Sequence, residues 1–367
     1  MSADRFAFVV CQQGAEKVLK AEFARILPTW KFGFSRPGFV TFKVPADFAA
    51  ADDWSPKSVF ARTWGWTLGK IRAEGDDPAA LVAQVAATVR AAAPDATFHQ
   101  LHVWPRDAAV IGRRGYEPGP TDAGQAAESA LCAALPGDML KSDAQGKSPD
   151  TRAGQHVLDV VLVEPNEWWI GRHTIRRGEP WSRWPGGIYV CDVPETVVSR
   201  AYIKMREALA SFRPPFDRNE HVVEIGSSPG GASQALLKAG FRVIGVDPAE
   251  MHEKVLAEKH FEHWRMRGNE IRKTRLRGVK WLTADLNVAP EYTLDTVEEI
   301  VTNQNVRMNG LILTIKLQDW DLAAGIPEHL TRVRDWGYRT VRARQLSRNR
   351  QEYCLYAYRT KLEDARS

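Results

Sequence analysis

The sequence predicts an α/β protein: a mostly parallel sheet wound by helices in the C-terminal half, preceded by two smaller α+β segments. Three observations lead there. From about residue 196 onward, short apolar runs alternate with helix-forming stretches, the pattern of a parallel sheet with crossover helices. The stretch "VVEIGSSPGGASQALLKAGFRVIGVDP", Val222 to Pro248, reads as strand, glycine-rich turn, amphipathic helix and a second strand ending on an acid. Before residue 190 the two periodicities mix in shorter units. A chain of 367 residues exceeds a typical single domain, so two or three cores are expected.

The elements follow in order. "FAFVVCQ" reads as a strand, "AEKVLKAEFARIL" as a helix and "GFVTFKV" as a strand, which makes residues 1–75 a small α+β unit. "DPAALVAQVAATVRAAA" is an amphipathic helix opened by Asp77 as N-cap and Pro78 in the first turn. "FHQLHVWPR" is a strand, "TDAGQAAESALCAAL" a helix, and "HVLDVVLVEPNEWWIGRHTI" a hairpin turning near Pro165-Asn166. These fill a second segment, 76–190. The polar stretch 137–154 reads as a mobile loop, and 178–195, with Pro180, Pro185, Pro194 and Gly186-Gly187, as a domain connection. The third segment, 191–367, holds the strand-like runs "HVVEIG", "FRVIGVD", "HFEHW", "VKWLTAD", "LILTIKL", "TVRARQL" and "EYCLYAYR", the last two forming an antiparallel hairpin at the sheet edge.

Composition narrows the function. The net charge is +5 and the pI about 9.0, a mild pointer to an anionic partner. Cys11, Cys132, Cys191 and Cys354 are scattered, with no CxxC, so neither a disulfide framework nor a structural zinc site is expected, and no metal. Cys11 and Cys354 sit in apolar runs and read as buried small hydrophobes. No apolar run approaches the roughly 20 residues of a membrane span. "MSADRFAFVVCQQG" lacks a basic leader and a cleavage site, and reads as a first strand. A cytoplasmic location follows from that reading.

In an open α/β sheet, ligands bind beyond the carboxyl ends of the strands. Gly226, Gly230 and Gly231 let the backbone turn sharply there, and Asp247 ends the next strand, where a carboxylate accepts both hydroxyls of a ribose. A dinucleotide site wants G-x-G-x-x-G; this turn is G-S-S-P-G-G, without the middle glycine and with a proline inside it. The sequence favours S-adenosyl-L-methionine, which has no phosphate to cradle. A glycine-rich turn alone is common in strand–helix crossovers; its coupling to Asp247 and the alternating pattern adds weight.

The run "VVEIGSSPGGASQALLKAG" resembles motif I of the FtsJ/fibrillarin-like RNA 2'-O-methyltransferases. "SRAYIKMREAL" looks like that family's lysine-bearing helix (Lys204), "VKWLTADLN" its fourth strand (Asp285), "LILTIKL" its fifth (Lys316) and "ARQLSRNRQEYCLYAYR" its closing hairpin (Glu352). Within the family the chain looks most like the bacterial RlmM type, which methylates a cytidine ribose of large-subunit ribosomal RNA. The resemblance implies a Rossmann-like class I methyltransferase domain at 191–367, with a seven-stranded sheet and C-terminal antiparallel hairpin. It implies a ferredoxin-like subdomain at 1–75 and a THUMP-like RNA-binding domain at 76–190. It implies the cofactor S-adenosyl-L-methionine held by Glu224, Gly226, Ser227, Ser228, Pro229, Gly230, Gly231, Asp247, Asn269 and Asp285, and a catalytic tetrad of Lys204, Asp285, Lys316 and Glu352. Its partner is RNA, 23S ribosomal RNA or a precursor particle, with no membrane. Glu224 stands where the family usually has Asp, Ala232 where it often has Trp, and Asn269 where an acid would follow the third strand.

In that reading Lys316 is the base for a ribose hydroxyl. A free lysine has a pKa of about 10.4, and a second cation, Lys204, together with burial would disfavour its charged form. Charged residues at strand ends are ordinarily solvated, but Lys316 interrupts the apolar "LILTIKL", where a lysine is costly without a partner. "WRMRGNEIRKTRLRGVKW" (264–281) holds seven Lys/Arg against one acid, and "RARQLSRNR" (342–350) four arginines; both suit phosphate contacts or a solvated surface. "GRHTIRRGEPWSRW" adds basic and aromatic residues at the connection, though Trp168 and Trp169 read first as core. Rival chemistries fit less well. A base N-methyltransferase wants [DN]-P-P-[FY] after strand four, where this chain has "ADLNVAP"; its "RPPF" precedes motif I. A carbon-5 cytosine methyltransferase wants a Pro-Cys nucleophile, and the chain has none. A non-catalytic RNA-binding protein would not need the glycines, Asp247 and all four tetrad positions.

Overall fold

In the computed structural model, which describes residues 5–51, 54–74, 77–141 and 152–360, the chain divides into two units, Met1–Val190 and Cys191–Ser367. Unit 1 runs β1 (Arg5–Val10), α1 (Glu16–Ile26), β2 (Lys31–Arg36), β3 (Phe39–Val44), β4 (Thr63–Arg72), α2 (Pro78–Ala92), β5 (Gln100–Pro105), α3 (Asp122–Ala134), β6 (His156–Glu164) and β7 (Glu167–Thr174). Asp77 caps α2, its carboxylate accepting from the Ala79 amide at 3.0 Å. Most of the stretch expected to be a mobile loop, residues 142–151, lies outside the described residues.

The strands of unit 1 form one sheet, ordered β2-β3-β1-β4-β7-β6-β5. Position 75 therefore falls between two sets of strands that β4–β7 pairing ties into a single ladder. Strands β2 and β4 are additions to the sequence reading. Glycines in "KFGFSR" and "TWGWTLGKIR" hid them, but Gly65 is required by packing: a Cβ there would lie 2.7 Å from the Phe8 ring. Helices α2 and α3 cover one face through Leu81, Val85, Val89 and Leu131. Over the other face, at Trp104, folds the proline- and glycine-rich segment before Val190. Gly186 lies flat on Trp104, where a Cβ would be 2.7 Å from the indole. Arg62 fastens this segment: its Nε donates to the Gly186 carbonyl at 2.9 Å and its Nη1 pairs with Asp107 at 2.9 Å. Both side chains are 1% exposed.

Unit 2 runs α4 (Ala201–Phe212), β8 (His221–Ile225), α5 (Gly231–Ala239), β9 (Arg242–Val246), α6 (Glu253–Leu256), β10 (Phe261–Trp264), β11 (Trp281–Asp285), α7 (Pro290–Val301), β12 (Gly310–Lys316), α8 (Ile326–Asp335), β13 (Thr340–Arg344) and β14 (Glu352–Tyr358). Its sheet order is β10-β9-β8-β11-β12-β14-β13. The first five strands are parallel; β14 runs antiparallel between β12 and the edge strand β13, as the sequence predicts. The Rossmann-like class I reading holds for this unit.

Strand alternation decides what faces α4 and α5. Val222, Trp281, Ile312, Cys354 and Tyr356 pack on Ala208, Phe212 and Leu236. Two residues further along each strand, the same face presents Glu224, Thr283, Thr314 and, at the strand ends, Asp285, Lys316 and Glu352. The four cysteines are free thiols, Cys11 and Cys354 buried. Among the described residues no helix is long and apolar enough to cross a membrane.

Removing Asp107 would strand the buried Arg62 guanidinium. Asp107→Ala is expected to destabilise unit 1 by about 3–5 kcal/mol, read as a lower denaturant midpoint by tryptophan fluorescence. An unchanged midpoint would show that the ion pair does not hold the segment down.

Candidate active site

Four charged side chains meet at the carboxyl end of the unit 2 sheet. Asp285 is the last residue of β11 and Lys316 the last of β12. Glu352 opens β14 and is the register partner of Lys316, so the antiparallel pairing sets the two side by side. Lys204 reaches across from the first turn of α4. Its Nζ lies 2.9 Å from Asp285 Oδ2 and 3.0 Å from Glu352 Oε1. Lys316 Nζ lies 2.8 Å from Asp285 Oδ1 and donates to Glu352 Oε2. Each ammonium thus touches both carboxylates, and the set is neutral overall.

Burial pulls the Lys204 ammonium down, but Asp285 and Glu352 outweigh it and hold its pKa above the ordinary lysine value. Burial pushes the Glu352 carboxyl up, but Lys204 and Lys316 outweigh that and bring it to about 2. The sequence reading had Asp285 and Glu352 hold the lysines from either side, with Lys204 and burial disfavouring charge on Lys316. In the structure the two carboxylates do flank the lysines, and together they keep Lys204 charged.

The glycine-rich turn adjoins this cluster. Gly226 has φ +78°, and a Cβ on it would lie 2.7 Å from the Asp285 carbonyl oxygen, so only glycine lets β8 pass this close to β11. Asp247, half-buried just beyond β9, accepts from the Ser228 amide at 3.1 Å and from the Ala249 amide at 2.8 Å. Each carboxylate oxygen keeps lone pairs for a diol. Gly231, at the first turn of α5, is packed against Ser199, whose Oγ would lie 2.1 Å from a Cβ there. A pyrophosphate would need that helix start open, so the donor set fits the ribose and methionine part of S-adenosylmethionine and not a dinucleotide.

The residues expected to hold the cofactor divide by access. Gly226, Ser228, Pro229, Asp247, Asn269 and Asp285 have some exposure. Gly230, Gly231 and Ser227 are buried, the Ser227 hydroxyl turned to Met251 Sδ at 3.5 Å. Asn269 lies in a short turn after β10, and its neighbour Gly268 packs on Ile225 at the end of β8. Glu224 is 2% exposed and accepts a hydrogen bond from the Ser233 hydroxyl. Burial, together with Asp285 and Asp247, raises its pKa to about 8. With Lys204, Thr283 and Asp285 it lines a cavity of about 20 Å³ beneath the cluster, room for about one water.

Two supporting residues escaped the sequence reading. The Asn349 amide donates to Glu352 Oε1 at 2.9 Å, and Glu207 accepts from the Ser347 amide at 2.6 Å and hydroxyl at 2.7 Å. Glu207, Ser347 and Asn349 are all fully buried. The one available signal was Glu207 itself, an acid one turn after Lys204 on the same face of α4. Their burial also divides the "RARQLSRNR" run: Arg344 is 3% exposed and faces Glu207, while Arg342 and Arg348 are half-buried and Arg350 is exposed. The 264–281 run is more open, but several of its cations are engaged: Arg265 with Glu250 at 3.3 Å, Lys273 with Glu299 at 2.5 Å and Arg275 on Trp264 at 3.7 Å.

Residues 197–315 match the family of FtsJ-like methyltransferases. The Ribosomal RNA large subunit methyltransferase M of Halorhodospira halophila is 24% identical over 359 residues, 95% of this chain and 95% of that protein. The protein of the same name from Tolumonas auensis is 25% identical over 227 residues, 59% of this chain and 60% of that protein, so that match spans less than two thirds of the relative. Among solved structures, fibrillarin of Aeropyrum pernix with natively bound S-adenosyl-L-methionine is 13% identical, with a TM-score of 0.33 over 57% of this chain and 85% of that one.

Two pH dependences follow from the shifted carboxyls. Glu224, raised from 4.5 to about 8, stabilises the fold fully below 4.5 and loses that contribution as pH rises to about 8. Glu224→Gln is expected to gain stability relative to wild type across that window, by on the order of a few kcal/mol, in urea midpoints taken pH by pH. A difference that stays flat with pH would show that Glu224 is ionised in the fold. Glu352, lowered from 4.5 to about 2, stabilises the fold above 4.5 and loses this as pH falls through about 2. Glu352→Gln should flatten the acid limb of the same curve; an unaltered limb would place the charge balance elsewhere.

Proposed function

We propose, from the FtsJ-like methyltransferase domain that residues 197–315 form, that the chain is an S-adenosylmethionine-dependent RNA ribose 2'-O-methyltransferase of large-subunit ribosomal RNA. The observation that carries the reading is the abutment of the two halves of the site. The Gly226 turn, suited to the cofactor, packs directly on Asp285 of the four-charge cluster, suited to a ribose hydroxyl. The substrate in this reading is a cytidine of 23S RNA, free or in a precursor particle. Unit 1, as ferredoxin-like and THUMP-like parts, would hold that RNA.

S-adenosylmethionine, when bound, supplies an electrophilic methyl group on a positively charged sulfonium. The work of this chain is then to hold a ribose hydroxyl in line with that methyl and to take its proton. Lys316 is the proposed acceptor, through Nζ. It must enter the step as a neutral amine. Lys204 keeps its proton, because Asp285 and Glu352 hold it above the ordinary lysine value. Once Lys316 has taken the hydroxyl proton, Asp285 and Glu352 again face two ammoniums, with the charges balanced. Asp247 is the proposed partner of the cofactor ribose, and Asn349 keeps Glu352 turned toward the lysines.

The test is methyl transfer from labelled cofactor to unmodified ribosomal RNA, with nucleoside analysis of the product. Wild type is expected to yield a 2'-O-methylated nucleoside, and Lys316→Ala to lower its rate by about 10²–10⁴-fold, the usual worth of a general base. A methylated base in place of the ribose product would overturn the reading. Cofactor binding without transfer to ribosomal RNA, whether free or in a precursor particle, would do the same.

A further inference from the structure

Three side chains able to ligate a metal meet in the core of unit 1. His102 on β5 and Asp159 on β6 are direct register partners. His173 on β7 stands two residues past Gly171, the partner of Asp159 on its other side. Side chains alternate along a strand with a period of two, so all three share one face of the sheet, the face on which Trp104 stands. The proline- and glycine-rich segment before Val190 closes over that face at Trp104. His102 and His173 are 3% exposed and Asp159 0%. One ligand atom from each lies within 4.8 Å of the other two.

Hydrogen bonds decide which atoms these are. His173 Nε2 is 2.7 Å from the Ser182 carbonyl oxygen, which can only accept, so Nε2 carries the hydrogen and donates it. His102 Nε2 is 3.2 Å from Gln100 Oε1 and donates to it for the same reason. In each neutral ring Nδ1 is then a lone pair, and both lone pairs turn to Asp159. His173 Nδ1 is 2.6 Å from Oδ2, and His102 Nδ1 is 3.8 Å from Oδ1. His102 Nδ1 and Asp159 Oδ1 are buried and have no hydrogen-bond partner among the described residues. Arg176 also acts on Asp159 through space, but its guanidinium is bonded to Glu179 at 2.7 Å and to the Thr174 carbonyl at 3.2 Å. Three electron-pair donors facing one another in the interior repel unless a cation lies among them. A proton between His173 and Asp159 closes one gap and leaves the other. A divalent ion serves all three.

We propose that His102 Nδ1, His173 Nδ1 and the Asp159 carboxylate form a zinc site that staples β5, β6 and β7 together and, through Ser182, holds the covering segment to the sheet. Zinc takes imidazole nitrogen and carboxylate oxygen at about 2.0–2.2 Å in tetrahedral geometry, which sets neighbouring ligand atoms about 3.4 Å apart. The gaps of 2.6 and 3.8 Å bracket that spacing. The second oxygen of Asp159 is there for the fourth position. Metal-bound imidazoles ordinarily give their other N–H to an outer acceptor, which fixes tautomer and ring orientation; Ser182 and Gln100 fill that role. Burial of the whole set makes the ion structural, since a catalytic ion keeps a position open to substrate. It also favours zinc over iron, which uses two histidines and a carboxylate where open positions remain. Cysteine spacing, on which the sequence reading expects no metal, is blind to these ligands. They lie far apart in the chain and only strand pairing brings them together. All three belong to unit 1, so the site stands independently of the methyl-transfer reading.

The experiment is metal analysis by plasma mass spectrometry of the untagged full chain, purified from zinc-supplemented cells and passed over a chelating resin. About one zinc per chain is expected. His102→Gln and Asp159→Asn, which keep size and polarity, are expected to bring it close to none. His156→Gln, on β6 but outside the ligand set, should keep the full content. A strong chelator present during urea unfolding should lower the wild-type midpoint and leave that of His102→Gln where it is, because metal binding there is folding free energy. Cells grown with cobalt in place of zinc should yield a chain with the visible absorption of a tetrahedral cobalt centre, a readout that needs no variant. Wild type without stoichiometric metal overturns the site and leaves a buried His–Asp pair joined by a proton. Zinc retained by both variants overturns it as well, and stoichiometric iron or manganese overturns the assignment to zinc. Where a variant fails to fold, the wild-type cobalt spectrum decides, and the lack of a tetrahedral band overturns the site.

Discussion

Everything at the carboxyl end of the unit 2 sheet is arranged around one electrostatic constraint: two ammoniums and two carboxylates must be taken partly out of water together. Burying any one alone would cost several kcal/mol, and removing one partner leaves the others uncompensated. The cluster answers this by alternation, each lysine touching both acids. That geometry needs three strands to end at one level and a helix to cross them at the right height. The parallel β11–β12 register and the antiparallel β12–β14 register meet the first need. Helix α4 meets the second, and the buried Glu207 fixes it to the loop that carries Ser347 and Asn349 and leads into Glu352.

The same constraint explains why the glycine-rich turn is built as it is. Its glycines do not open space for a ligand so much as let the chain pack on itself. Gly226 clears Asp285, Gly230 clears Met251 and Val255, and Gly231 clears Ser199. The turn is thereby held against the charge cluster, and what remains accessible is a short polar rim: Ser228, Asp247 and the edge of Asp285. Within that rim Asp285 is already engaged by Lys204 and Lys316, and Asp247 by the amides of Ser228 and Ala249. Glu224 fits the same logic from below. A third ionised carboxylate beside Asp285 would upset the balance, and its burial keeps it protonated near neutrality.

In unit 1, buried charge appears again, in a structural setting. Arg62 and Asp107 form an interior pair, and Arg62 ties the start of β4 to the segment ending at Val190. Nearby His173 links Asp159, at 2.6 Å, to the Ser182 carbonyl, at 2.7 Å. These contacts fold a proline- and glycine-rich stretch, legible from sequence only as a connection, onto the sheet as part of its core. The opposite end of that sheet face stays open, and there the exposed cations collect.

Local sequence determined a good deal. Periodicity gave the alternating elements of unit 2, the edge hairpin and the capped helix at Asp77. The apolar context of Lys316 marked it as a lysine needing partners, because such a strand is buried on both faces. Strands β2 and β4 were not legible, since glycine reads locally as a break while its reason, the Phe8 ring over Gly65, lies in another strand. Nor were Asn349 and Glu207, whose partners are distant in sequence. In the basic "RARQLSRNR" run Arg344 turns inward while Arg350 stays exposed, because charge composition does not say which way a side chain turns. The sequence by itself determined which residues carry charge and on which strand face they stand, since that needs only a period of two. Only the tertiary structure decided which charges meet and which acid is buried neutral. Those depend on distances between elements and on exclusion of water, and neither is a property of any local stretch of chain.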